Sequence, residues 1–227
     1  MVAQTWVSEP QSTPFAPWGV YAPQWDTLLL AGALSREHIT SKTSVLDLGT
    51  GSGALAIEAA RLGGRVTAVD ISRRAVFTAW INALLARQLI RFRRGDLCRA
   101  VPGCSYDLIV SNPPYVPSPA AGPPRRGRAR AWEGGRDGRV FVDRICAAAP
   151  AVLRPGGALL LVHSGLCGTQ TTLDHLTRAG LLAAVTDRTT VPFGPVLRSR
   201  KRWLVEEGFI AADEDREELV VIRAQHA

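Results

Sequence analysis

Apolar and polar positions fall in blocks along this chain, and the blocks change period as they go. Over 24–34 the leucines and Trp25 recur at a spacing that covers one face of a helix. The apolar run 45–48 then ends in glycines, the pattern of a strand meeting a turn. The same alternation predicts a helix over 52–62, a strand over 65–70, a helix over 73–86, a short strand over 91–94 and an apolar strand over 107–111. From 112 to 139 proline, glycine and arginine are too dense for regular structure, and loops this long are usually functional or disordered. Beyond it the pattern predicts a helix over 140–149, a turn at Pro155, Gly156 and Gly157, and a strand over 158–163. A helix near 169–179, a strand near 182–188, a basic helix near 196–207 and a last strand over 219–223 complete the chain. Strand and helix alternate throughout, which predicts an α/β fold: a seven-stranded, mostly parallel sheet with helices on both faces. Residues 1–20 carry Pro10, Pro14 and Pro17 among polar positions and read as a loosely ordered arm ahead of one domain over 21–227.

Composition changes this picture little. Nearly half the residues are hydrophobic and about a fifth charged, the ordinary balance of a globular protein. No apolar run approaches the roughly 20 residues that span a bilayer, and the first residues lack the basic-then-apolar pattern of a secretory leader. The expected location is the cytoplasm, with no membrane partner. Cys98, Cys104, Cys146 and Cys167 have neither CxxC spacing nor nearby histidines, so buried free thiols and no metal are expected. The net charge of +7 suits a phosphate-bearing partner such as nucleic acid or ribonucleoprotein. Arginine far outnumbers lysine, however, and alanine is abundant, a skew that a GC-rich genome produces unaided.

The chemistry gathers at the predicted strand ends, where open α/β sheets bind ligands. Asp47, Leu48, Gly49, Thr50, Gly51, Ser52 and Gly53 stand where the first strand becomes a helix. Glycines at alternate positions let a ligand approach bare backbone at a helix start. Asp70 follows at the end of the next strand, 19 residues after Gly51, where an acid accepts hydrogen bonds from ribose hydroxyls. Asp96, after the third strand, is placed for an adenine amino group. A nicotinamide dinucleotide satisfies the same glycines through Gly49, Gly51 and Ala54. Asp47 favours S-adenosyl-L-methionine instead, since a carboxylate there would attract the ammonium of a methionine moiety and repel a pyrophosphate.

Asn112, Pro113, Pro114 and Tyr115 directly follow the fourth strand. An amide or aromatic amine nitrogen is a poor nucleophile because its lone pair is delocalised, so an enzyme that alkylates it must bind the NH2 in a geometry that frees that pair. The Asn112 side-chain oxygen and the Pro113 carbonyl can each accept one N–H, while Pro113 and Pro114 stiffen the loop that carries them. Tyr115 is expected to pack against the flat face of the acceptor, holding the in-line geometry of methyl displacement. In isolation the tetrapeptide is also a common turn.

Together these motifs resemble the class I methyltransferases with their Rossmann-like sheet, and within them the HemK-like protein-glutamine methyltransferases. The resemblance runs over 20–224 and is carried by 20–27, 47–53, Asn112 to Tyr115 and 131–139. The first and last of these point to the short eukaryotic and archaeal branch, which lacks the N-terminal helical domain of bacterial release-factor methyltransferases. The resemblance implies Thr27, Asp47, Gly49, Asp70, Asp96, Leu97 and Asn112 as cofactor contacts, with Asn112 and Pro113 orienting the acceptor. It further implies methylation of the glutamine in the Gly-Gly-Gln loop of a translation release factor, and a small zinc-binding activator subunit as a partner of related eukaryotic enzymes. An adenine-N6 methyltransferase on DNA or RNA poses the same lone-pair problem, and a small-molecule amine is a further alternative. The arginines over 123–139 read either as a docking surface for an acidic partner or as a solvated run; the basic segment 191–209 has no role that the resemblance supplies.

Overall fold

The computed structural model describes residues 14–124 and 126–226; most of the expected N-terminal arm, residues 1–13, lies outside them, as does Arg125. Among the described residues there are seven strands and six α-helices. In the first half helix and strand alternate through α1 Trp25–Leu34, β1 Ser44–Leu48, α2 Ala54–Arg61, β2 Arg65–Asp70, α3 Arg73–Leu85 and β3 Arg91–Arg94, after which β4 Tyr106–Ser111 follows a single 3-10 turn. The second half holds α4 Val140–Val152, β5 Leu153–Ser164, α5 Thr169–Arg178, β6 Leu181–Pro192, α6 Pro195–Glu206 and β7 Arg216–His226.

The strands form one sheet in the order β3-β2-β1-β4-β5-β7-β6. β1 to β5 are parallel, and β7 is antiparallel to both of its neighbours. Side chains alternate across a strand, so the central strands feed two cores. Leu46, Leu48, Ile109, Leu159 and Leu161 face Val142, Ile145 and Ala149 of α4 and Leu176 of α5. Their neighbours Val45, Leu108, Val110, Leu160 and Val162 face Leu30 and Leu34 of α1 and Leu55, Ala56 and Ala59 of α2. The sheet order reverses between β1 and β4, and a crevice opens beyond their carboxyl ends.

Two expectations need correction. Pro155, Gly156 and Gly157 do not form a turn ahead of a strand. They lie inside β5 as a bulge, with Tyr106 opposite Leu153 but Leu108 opposite Ala158, and Gly156 takes φ +74° to absorb the extra residues. β6 and β7 run well past the expected 182–188 and 219–223, as a long antiparallel pair with α6 in their connection. The basic segment 191–209, for which the sequence supplied no role, contributes packing through its apolar positions: Phe193, Leu197 and Leu204 form a small core with Ile210 against Val116, Leu166 and Trp203.

Candidate functional site

A cavity of about 680 Å³ opens at the sheet reversal, within the range of small-molecule sites. Its floor is the turn between β1 and α2. Gly49 and Gly51 have φ of +74° and +55°, and a Cβ on either would meet no atom closer than 3.8 Å, so these glycines expose backbone to the cavity. Gly53 differs. It does not line the cavity; a Cβ there would sit 2.9 Å from that of Ala79, so its absence lets α2 and α3 pack closely.

The three acids take different positions. Asp70 lines the cavity; its Oδ2 accepts from the Gly51 N–H at 3.1 Å and its Oδ1 from the Ser72 N–H at 2.8 Å. Each oxygen keeps a second lone-pair site, which suits a pair of vicinal hydroxyls. Burial raises its pKa, against those two backbone donors. Asp96 lines the next wall and is paired through Oδ2 with Arg144 at 2.6 Å. Leu97, beside it, lines the cavity with φ +48°. Asp47 is a correction, because it is fully buried behind the turn and does not line the cavity. Its Oδ2 accepts from the Thr50 hydroxyl at 2.6 Å, while Oδ1 has no partner among the described residues. Burial pushes its pKa up to about 7, with the Asp70 carboxylate adding to the rise.

Exposed glycine backbone, a hydroxyl-accepting acid and an orphaned buried oxygen together fit S-adenosylmethionine. Thr27, Gly49, Gly51, Asp70, Asp96, Leu97 and Asn112 would hold it, and Asp47 would act from behind through Thr50. Bound there, the cofactor supplies a methyl group already activated on a sulfonium.

Asn112 and Pro114 line the same cavity. The Asn112 Nδ2 donates to Thr27 Oγ1 at 3.2 Å, and nothing among the described residues donates to Asn112 Oδ1 or to the Pro113 carbonyl. Both oxygens are expected from the sequence as acceptors for an NH2 group; of the two residues only Asn112 lines the cavity, and Pro113 is buried beside it. Tyr115 departs from expectation. Its ring is only 8% exposed, belongs to the main core and does not line the cavity, and its hydroxyl donates to Asp26 Oδ2 at 2.8 Å. It therefore anchors the loop in this structure instead of offering a face to an acceptor. Asp26 and Tyr21, whose hydroxyl reaches the same carboxylate oxygen at 2.6 Å, were not singled out in the sequence. An acid in the first turn of a helix is an ordinary response to the helix dipole, so nothing there signals a buried anchor.

The segment 112–139 is folded against the site. Val116 N–H donates to the Trp132 carbonyl at 2.7 Å, Gly134 N–H to Val116 at 3.0 Å and Ser118 N–H to Gly135 at 2.9 Å, so the stretch after Asn112 is laced to 132–135. A Cβ on Gly134 would sit 2.8 Å from the Pro114 carbonyl, and one on Gly138 would run into the Tyr115 carbonyl. These glycines let two backbones touch. Arg200 of α6 clamps the pair from outside through Glu133 and the Pro117 carbonyl, the latter at 2.8 Å. Several of the arginines have partners within the fold. Arg128 stacks on Trp18 at 4.0 Å, Arg130 lines the cavity, Arg136 pairs with Glu207, and buried Arg139 binds Asp143, Thr172 and the carbonyls of Cys167 and Gly168. Arg139 is buried, whereas Arg128 and Arg136 keep exposed surface, so packing accounts for part of this run only.

Residues 21–122 match the family model of the methyltransferase small domain. A chain of Methanocaldococcus jannaschii named for protein N5-glutamine methyltransferase activity is 34% identical over 175 residues, covering 77% of this chain and 87% of that one. A release factor glutamine methyltransferase of Xylella fastidiosa is 40% identical over 178 residues, 72% of this chain, which spans 64% of that enzyme's length. Among solved structures, Mtq2 of E. cuniculi, in complex with Trm112 and responsible for methylating the termination factor eRF1, shares the fold with a TM-score of 0.60 at 24% identity, over 92% of this chain and 99% of that one. With a Rossmann-like sheet, a glycine turn facing a nucleoside-sized cavity and a relative matched over most of both lengths, this chain belongs to the protein N5-glutamine methyltransferase family.

Proposed function

We propose that the chain transfers a methyl group from S-adenosylmethionine to the side-chain amide nitrogen of a protein glutamine, with a translation release factor as the acceptor. The observation that carries this reading is Asn112, held on the cavity wall with its NH2 engaged by Thr27 and its oxygen unengaged. A glutamine NH2 has two hydrogens to donate, and Asn112 Oδ1 and the Pro113 carbonyl offer two acceptors. Binding both hydrogens turns the nitrogen lone pair toward the methyl group, and the barrier falls through orientation rather than through a strong base. The names of the M. jannaschii and Xylella relatives support glutamine, and the Xylella relative and Mtq2 support a termination factor.

A small partner subunit is part of the proposal. Phe77, Trp80, Leu84 and Leu85 are 49–74% exposed along α3, beside the edge strand β3, and an apolar patch of that kind marks an interaction surface. The cytoplasm, where release factors act, is the expected location. The test is tritium transfer from labelled S-adenosylmethionine into a purified release factor, with and without a zinc-binding partner of the Trm112 kind. Label that vanishes when the loop glutamine is changed supports the reading; label in nucleic acid alone replaces it with the adenine enzyme.

A further inference from the structure

Asp26, at the second position of α1, is 2% exposed and receives four hydrogen bonds. Tyr21 and Tyr115 hydroxyls donate to Oδ2 at 2.6 and 2.8 Å, and the Thr27 N–H and hydroxyl donate to Oδ1 at 2.6 and 3.1 Å. A carboxylate has about four lone-pair sites, so this one is full. The consequence falls on Thr27. Its hydroxyl has a single hydrogen, which is spent on Asp26, so toward Asn112 it can only accept.

A primary amide can sit in either of two flips related by half a turn, and a hydroxyl neighbour normally tolerates both because it can donate or accept. Here it tolerates one. We propose that Asp26 is a positioning residue for methyl transfer: through Thr27 it selects the flip of Asn112 that presents oxygen, not NH2, to the acceptor. This rests on the glutamine-amide reading, since in the other flip two NH2 groups would confront each other. The Tyr115 bond extends the device to the backbone. It ties the end of the Asn112 loop to the same carboxylate, so the side-chain and main-chain acceptors are held by one anchor.

Asp26→Asn tests this, because its amide can itself donate to Thr27 and so frees Asn112 to turn. The kcat for tritium transfer to a purified release factor should fall by about tenfold or more. Affinity for S-adenosylhomocysteine should stay within about threefold in calorimetry, at a full stoichiometry that shows the variant is folded. A second readout needs no turnover. The chain has two asparagines, Asn82 and Asn112, so isotope labelling of asparagine gives two pairs of side-chain amide signals in NMR, with a third pair in Asp26→Asn, and Asn112→Asp in each background assigns the Asn112 pair. In the unaltered protein one Asn112 amide proton should exchange slowly with solvent, and in Asp26→Asn that protection should disappear.

Turnover of Asp26→Asn at the unaltered rate, or loss of cofactor affinity in proportion to the rate, would overturn the proposal. So would fast exchange at Asn112 in the unaltered protein, a result that decides the matter even if the variant does not fold. If the unaltered enzyme itself leaves the release factor unlabelled, the glutamine reading fails, and the exchange measurement still reports separately on the orientation of Asn112.

Discussion

At the scale of single residues, acceptor orientation falls chiefly to Asn112 and cofactor retention to Asp70. Asn112→Ala removes a carbonyl that mainly the acceptor uses, so transfer should be lost while S-adenosylhomocysteine binds within a few-fold in calorimetry. Parallel loss of both would show that Asn112 mainly holds the cofactor. Asp70→Ala should weaken cofactor binding by about 1.5–3 kcal/mol, the worth of hydrogen bonds to a charged group, and unchanged affinity would remove Asp70 from the ribose contact. Asp70 was legible from the sequence because a strand end and a glycine turn fix its distance from the ligand. Asp47 and Tyr115 were only half legible. Their chain positions were right, but side-chain direction at a strand end depends on packing, and both turn into the protein instead of toward the cavity.

At the scale of elements, the loop after β4 carries the chemistry and 131–139 keeps it in place. Gly138 combines φ +76° with a position where a Cβ would strike the Tyr115 carbonyl. Gly138→Ala should therefore cost on the order of 3 kcal/mol of stability, from a strained backbone and an overpacked contact, and should lower transfer in the protein that remains folded. Thermal unfolding and an activity assay check this; a variant as stable as its parent would show that the two backbones do not touch in solution. The order of this segment was hidden in the sequence. Glycine and proline density signals the absence of helix and strand, yet here glycine serves close approach between two irregular stretches, which leaves no periodic trace. β2 and β3, whose bounds agree with the sequence reading, lie in the part of the chain where helix and strand alternate. β6 was underestimated because it is an edge strand with every other residue at least partly exposed, so its polar positions mimic a loop.

For the molecule as a whole, buried ionisable groups set the response to pH. Burial raises the pKa of Asp47 and of Glu217 to about 7, the latter helped by the Asp26 carboxylate, and burial lowers that of His163 to about 4. A carboxyl with a raised folded pKa keeps a proton that the unfolded chain has released. Its stabilisation is complete below the unfolded pKa and is lost as pH rises toward 7. His163 acts in the opposite sense, since its contribution is present above its unfolded pKa near 6.5 and is lost as pH falls toward 4. Two falling contributions oppose one rising one, so the cofactor-free protein should lose stability between pH 5 and 7. Glu217→Gln should flatten that slope by about 1 kcal/mol per pH unit in denaturant titrations, and an unchanged slope would show that Glu217 is ionised throughout.

The whole molecule also carries the central claim, that one fold brings a cofactor turn and an oriented Asn112 together to alkylate a glutamine amide. Fragment-ion mass spectrometry of a release factor, incubated with the enzyme and S-adenosylmethionine, tests it most directly. The account predicts one added methyl on the side-chain nitrogen of the loop glutamine, absent with Asn112→Ala. A factor with no methylated glutamine, alongside methylated adenine in nucleic acid from the same incubation, would contradict it.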